Sequence, residues 1–260
     1  MRIIDAHAHI SSWPTIKATR SLILRSMAKY GISHSLISNC DGAEFPSVGD
    51  PTPKMERTIE ILKQTIAFHK AHKDRISAAM WIRPYYEQPD DELFNFLKKH
   101  RDEVRAMKFH PYEEHLRISS IKLQKWLNLA KILQMPVIVH TAADEYSAVP
   151  FIVKVVKSYP ELNFVMAHLE LCSNNKRAIR AMKKHNNLYA DTAWVPLEST
   201  LTVLREVGID RIMFGTDNPI DGLDTLANPM YQAYFAPDCP LTSEEKEHLF
   251  HLNAERIYGI

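Results

Sequence analysis

Ile4-Asp5-Ala6-His7-Ala8-His9-Ile10 is the stretch that decides the fold. Apolar or small residues alternate with polar ones, and a strict period of two is the signature of a strand, in which residues i and i+2 share a face. Asp5, His7 and His9 are therefore expected to point the same way. Two imidazoles side by side on a short apolar strand need partners if the strand is buried, because unpaired polar groups are costly away from water.

Outward from this strand, expected over residues 3–8, the same kind of signal recurs. Short apolar runs rich in β-branched residues lie at 35–38, 76–82, 104–109, 137–139, 164–167, 188–192 and 212–214. Stretches with apolar residues at helical spacing separate them. Met55, Ile59, Leu62 and Ile66 form one stripe. Residues 121–133 form another, behind the capping residues Ser119 and Ser120 and ahead of Pro136. Ser173 is read as the cap of a helix running to about His185, and Pro196 suits a first helical turn. Thr242-Ser243-Glu244-Glu245 opens a last helix that stops at Tyr258-Gly259. Near-continuous apolar strands alternating with amphipathic helices imply a parallel sheet covered by helices. Eight such units in 260 residues predict an α/β protein of one domain, a (β/α)8 TIM barrel, which takes about 250 residues. Two segments exceed ordinary connection lengths, 40–53 and 218–240, and both follow strands. In a barrel they overhang the C-terminal mouth, where active sites are built. The aromatics of the second, Tyr231, Tyr234 and Phe235, are expected in a lid or an interface.

The ends of the strands carry the chemistry. Lys108 and His110 close the fourth strand, His140 the fifth, His168 the sixth and Asp217 the eighth, while Asp191 lies on the seventh. From His110 onward these groups are 30, 28, 23 and 26 residues apart, each close to one strand-plus-helix unit. One level of the barrel is thus revisited by ionisable side chains. A histidine–carboxylate cluster suits zinc or a similar divalent ion that keeps a position open for water. Asp217 can bind such an ion and accept a proton from the water. His168 can orient the nucleophile or protonate a leaving group.

Composition narrows the partners. A net charge of +1 gives no global field for nucleic acid or an anionic membrane. The basic runs Lys98-Lys99-His100-Arg101 and Lys183-Lys184-His185 lack interleaved aromatics and read as solvated helix ends. Cys40, Cys172 and Cys239 are odd in number and widely spaced, so they read as reduced thiols of a cytoplasmic protein. No apolar run reaches the roughly 18 residues of a membrane span, and the first ten residues lack the pattern of a signal peptide. The expected partner is a small-molecule substrate. A homodimer is expected only because symmetric dimers are common.

IDAHAHI, KFHP, VIVHT, VMAHLE and FGTDNP, in that order, resemble the amidohydrolase superfamily, in particular the amidohydrolase-related branch that includes aminocarboxymuconate semialdehyde decarboxylase. The closing NAERIYG is similar to that branch's C-terminal helix. The resemblance implies that His7, His9, His140 and Asp217 bind one divalent metal, usually zinc and in some members manganese or iron. It implies that His168 acts beside the metal. Other members bridge two metals with a carbamylated lysine, near where Lys108 stands, but the KFHP context is similar to the mononuclear branch. The expected activity is metal-dependent hydrolysis of a small amide, lactone or ester through a metal-activated water. The alternative is metal-dependent non-oxidative decarboxylation of an aromatic or dienoic acid, which calls for Arg83 or Lys108 as an anion clamp. A third reading, of another class, is a metal-free barrel that serves as a binding protein. Arg83, Lys108, His110 and Trp194 are the expected substrate-binding residues. Each has a plainer role open to it: an ion pair for Arg83, a packed stem for Lys108, a strand cap for His110 and core packing for Trp194. Asp5 is expected to orient a ligand or backbone.

Overall fold

A computed structural model describes residues 1–45, 56–220 and 222–260. Eight strands form one parallel sheet in chain order: β1 (Ile4–Ile10), β2 (His34–Asn39), β3 (Ile76–Trp81), β4 (Val104–Phe109), β5 (Val137–Ala142), β6 (Phe164–Leu171), β7 (Leu188–Asp191) and β8 (Ile212–Met213). A helix follows each: α1 (Ile16–Tyr30), α2 (Thr58–Ala71), α3 (Asp91–Lys99), α4 (Gln124–Ile132), α5 (Val149–Ser158), α6 (Lys176–Met182), α7 (Leu197–Glu206) and α8 (Pro229–Phe235). This is the (β/α)8 barrel, in one domain.

β8 is short because the chain after it closes the ring in irregular conformation. The Ala6 amide donates to the Phe214 carbonyl at 2.8 Å, and the Thr216 and Asp217 amides both donate to the His7 carbonyl at 3.1 and 2.7 Å. The His9 amide donates to Asn218 at 2.8 Å. The backbone that seals the barrel is thus the backbone that carries Asp217.

Side chains divide the molecule into two apolar regions. The larger lies between strands and helices, with Trp126, Phe68, Phe164 and Phe250 among its buried members. The smaller lies inside the barrel. Ile4, Ala6, Leu36, Ala79, Ala106 and Ile138 belong to it, together with residues of β6, β7 and β8. Its lower end is stopped by Ala254, Ile257 and Tyr258, which sit on α10 (Asn253–Tyr258). That helix is reached through α9 (Ser243–Glu247) and a π-helical turn over His248–Leu252. Thr242 opens α9 with a capping box to Glu245, and Gly259 ends α10 at φ 66°, as the sequence suggests.

The structure corrects several local expectations. β1 slips register against β2 between Asp5 and Ala8. Ile4 and Ala6 point into the barrel, so Asp5 between them does not share a face with His7 and His9. Instead its carboxylate accepts from Thr216 Oγ1 at 2.6 Å and from the Thr216 and His7 amides at 3.1 Å each. Ser173 does not cap α6. Its hydroxyl accepts from the Asn175 amide, and Asn175 begins the helix from a left-handed conformation, φ 60°. Pro196 stands one residue before α7, at its cap. Tyr231 and Tyr234 form neither lid nor interface: both are fully buried on α8, where their hydroxyls donate to the carbonyls of Thr216 and Val195. Met55, residues 46–53 of the first long loop and residue 221 of the second lie outside the described residues.

Candidate metal centre

β1 delivers His7 and His9 to the barrel mouth, and each ring is fixed from behind. His7 Nδ1 lies 2.9 Å from Asp191 Oδ2, and His9 Nδ1 lies 2.9 Å from Ser38 Oγ. With these Nδ1 atoms donating, both Nε2 lone pairs face forward. The two Nε2 atoms are 3.1 Å apart. Asp217 Oδ1 stands 2.8 Å from one and 3.3 Å from the other.

Asp217 is held in turn. Its Oδ2 accepts from the Trp194 indole at 2.8 Å, and its backbone sits in the left-handed region at φ 63°. Such strain is kept where surroundings over-determine the conformation. Here the two bonds to the His7 carbonyl region and Tyr231 beneath Thr216 do so. Gly215 has no alternative at its position, since a Cβ there would stand 2.9 Å from His7 Cβ and 3.2 Å from Asp191 Cβ.

Within β6, His168 stands at φ 71°, followed by Leu169 at 46° and Glu170 at 70°. This run turns the imidazole over the cluster. Its Nδ1 donates to the Ala193 carbonyl at 3.2 Å, and its ring lies 5.0 Å from that of His7. Asp191 ties the two histidines together: one oxygen takes His7, and the other accepts the amides of His168 and Ala193 at 3.0 and 3.1 Å.

Burial sets the charge states. It pushes His7, His9, His110 and His140 down from the usual histidine value, and His168 down to about 4. These rings are neutral near pH 7 and offer lone pairs. Burial alone would raise Asp217, but His168, His9 and His7 outweigh it and hold the carboxyl well below its ordinary range. Burial likewise works against Asp191, and His7 and His168 reverse it. Asp5 is pushed up to about 7 by burial, which outweighs the hydrogen bonds it accepts from Thr216 and His7.

The donor set fits a divalent ion. Ligand atoms about 2.0–2.2 Å from one ion stand roughly 3 Å apart when they meet near right angles, the spacing seen among His7, His9 and Asp217. His140 is not drawn into this group. Its ring stacks on His110 at 3.9 Å between centroids and meets His168 edge-on at 4.8 Å. Yet it lines the same cavity, and its buried Nδ1 has no hydrogen-bond partner. Lys108, fully buried, points its amine at His7 Nε2, 3.0 Å away.

A cavity of about 470 Å³ opens over the cluster, within the usual range for small-molecule sites. His9, Lys108, His110, His140, His168 and Asp217 line its floor. Two expected substrate contacts are not among its walls. Arg83 is buried, its guanidinium bonded to the Glu56 carbonyl and lying over the Tyr86 ring. Trp194 spends its N–H on Asp217. His110 does line the cavity, stacked between Trp81 and His140. Sequence reasoning left Asp191, Ser38 and Gly215 without a role. Only Asp191 had a signal, its place in the strand-by-strand spacing.

A family model described as Amidohydrolase matches residues 4–260. A search of curated proteins finds no match. Among solved structures, the chain is similar to a "probable 2-pyrone-4,6-dicarboxylic acid hydrolase" of Acinetobacter baumannii with citric acid bound, at 12% identity, TM-score 0.70 and 100% coverage of both chains. It is also similar to 5-carboxyvanillate decarboxylase of Novosphingobium aromaticivorans with bound manganese, at 10% identity and TM-score 0.73, covering 100% of this chain and 97% of that one. 4-Oxalomesaconate hydratase of Rhodopseudomonas palustris follows at 18% identity and TM-score 0.68, covering 99% of this chain and 95% of that one. At such identities the likeness is one of fold, and three reactions share it.

Proposed function

The chain belongs to the amidohydrolase family, and from that premise we propose that it is a metal-dependent hydrolase of a small amide, lactone or ester. The observation that carries the reading is the meeting of His7 Nε2, His9 Nε2 and Asp217 Oδ1 within 3.3 Å, beside a cavity that His9 and Asp217 line. Those three residues would hold the ion, with His140 as the fourth ligand and zinc as the ion its nitrogen-rich donors favour. When bound, such an ion lowers the pKa of water from 15.7 towards about 7 and polarises a carbonyl.

The chain's own groups do the rest. Asp217 is ionised and can take the proton of the attacking water. His168 is neutral near pH 7, so it can receive that proton from Asp217 and hand it on to the departing amine or alkoxide. One water is consumed and one carbon–nitrogen or carbon–oxygen bond breaks. Trp194 and Asp191 keep Asp217 and His7 aimed while this happens.

One observation favours decarboxylation as a second reading. Lys108 brings a buried amine to the cavity floor, where it would anchor a substrate carboxylate, and the manganese-containing neighbour of this fold is a decarboxylase. Arg83 offers no such anchor. A metal-free binding protein is disfavoured by the convergence of His7, His9 and Asp217 on one point, the donor set of a divalent ion.

Elemental analysis of the purified protein beside His7→Ala and His140→Ala tests the proposal. About one divalent ion per chain, lost in the variants, with turnover of a lactone or ester panel, is the expected result. No metal after reconstitution would overturn it. Release of carbon dioxide from aromatic acids, without hydrolysis, would move the assignment to the second reading.

A further inference from the structure

His110 follows β4 with all but one edge of its ring engaged. Trp81 stacks on one face at 5.1 Å between centroids and 6° from parallel, and His140 on the other at 3.9 Å and 17°. Its backbone is pinned by the fully buried Glu114. The His110 amide donates to Glu114 Oε1 at 2.9 Å, and the Glu114 amide donates back to the His110 carbonyl at 2.9 Å.

The ring is pinned as well, because the Glu113 amide donates to His110 Nδ1 at 3.3 Å. A backbone N–H can only donate, so Nδ1 presents its lone pair and the ring proton sits on Nε2. Nε2 itself meets no hydrogen-bond partner among the described residues, and it is not sealed in the core as the unpaired Nδ1 of His140 is. With both faces and one edge taken, the edge bearing Nε2–H is what His110 gives to the cavity it lines. His9, Lys108, His168 and Asp217 stand close enough to act on its charge, so this N–H belongs to the same floor. Its neighbours are turned otherwise. His9 and His168 commit Nδ1 to Ser38 and Ala193 and offer Nε2 lone pairs, while Lys108 aims its amine at His7.

We propose that His110 Nε2–H is the hydrogen-bond donor that holds the scissile carbonyl oxygen of the substrate. As the oxygen of water bonds to the carbonyl carbon, the π electrons move onto that oxygen, and a fixed donor there is stronger for charge than for a neutral carbonyl. A neutral imidazole does this without giving up its proton. The electron pair then returns, the carbon–nitrogen or carbon–oxygen bond breaks, and the leaving group takes the proton that His168 hands on. The inference rests on the hydrolase reading, since decarboxylation adds no water to a carbonyl.

Two measurements test it. Nitrogen-15 NMR of the zinc-loaded, histidine-labelled protein, with His110 assigned by its absence from His110→Phe, should show a protonated Nε2 and a bare Nδ1. Steady-state hydrolysis of dihydrocoumarin, phenyl acetate and benzamide supplies the second. On whichever probe the parent turns over fastest, His110→Phe, which keeps a stacked ring and loses the donor, should lower kcat by about a hundredfold to a thousandfold, with KM and metal content near those of the parent. His110→Gln, which puts an amide donor back, should recover at least about tenfold of that loss. The opposite tautomer, a parent-like kcat in His110→Phe, or a His110→Gln no better than His110→Phe would each overturn the inference. A parent that hydrolyses none of the three probes would instead mark failure of the hydrolase reading, and the inference would fall with it.

Discussion

β1 passes through both halves of the barrel interior. Its lower residues, Ile4 and Ala6, join an apolar layer to which every strand contributes. Immediately beyond Ala6, His7 and His9 enter a layer of neutral imidazoles and ionised carboxylates. The lower layer stabilises by removing apolar area from water, which asks little of geometry. The upper layer works against burial, and each group stays in place only because another is aimed at it. The same strands therefore build stability at one end and a costly, organised site at the other.

Substitution at the two ends should separate these roles. The largest effect is expected from Asp217→Asn. It removes the negative charge on which His7 and His9 converge, and kcat/KM should fall by about a thousandfold or more, roughly 4 kcal/mol, while the melting temperature stays near that of the parent. Ile138→Ala, in the lower layer, should do the opposite: a loss of about 2–5 kcal/mol in chemical denaturation, with metal stoichiometry unchanged. If Ile138→Ala also empties the metal site, the two layers are one cooperative unit and the contrast breaks.

Asp191→Asn comes next. It weakens the grip on His7 and on the His168 amide together, so metal affinity should drop by about 10–100-fold, measured by competition with a chelator. Asp191→Glu, which keeps the charge but moves it, should restore the pH profile without restoring full affinity. The smallest effect concerns His34 at the lower end, bonded to Ser77 Oγ at 2.9 Å and to the Asp74 carbonyl. Burial holds its pKa down at about 4. Because the unfolded chain binds this proton more readily, the contribution is present above about pH 6.5 and is lost as pH falls towards 4. His34→Gln should flatten the acid limb of stability by at most about 1.4 kcal/mol per pH unit, seen in urea midpoints.

Much of this was readable in the chain. All eight strands stand where short β-branched runs end against helical patterns, because burial on both faces leaves an unmistakable apolar tract. The periodic return of ionisable residues marked the mouth, and His7, His9 and Asp217 do meet there. What escaped has a common cause. The slip between Asp5 and Ala8 is a backbone event that IDAHAHI does not announce. Arg83 follows a strand end, yet which way a long side chain turns depends on neighbours such as Tyr86 and Glu56, brought near only by folding. Tyr231 and Tyr234 looked like loop aromatics until tertiary packing placed α8 against α7 and the closing segment.

The stopper at the barrel's lower end has a consequence for synthesis. Ala254, Ile257 and Tyr258 follow every strand in the chain, so a ribosome delivers them after all eight. Until they emerge, at about 5–20 residues per second, the nascent barrel lacks its plug and the apolar lumen is open to water, chaperones and proteases. Quality control of the nascent barrel thus hinges on the interval between its last strand and this helix, and a stop codon there would release a barrel with all its ligands and no cork.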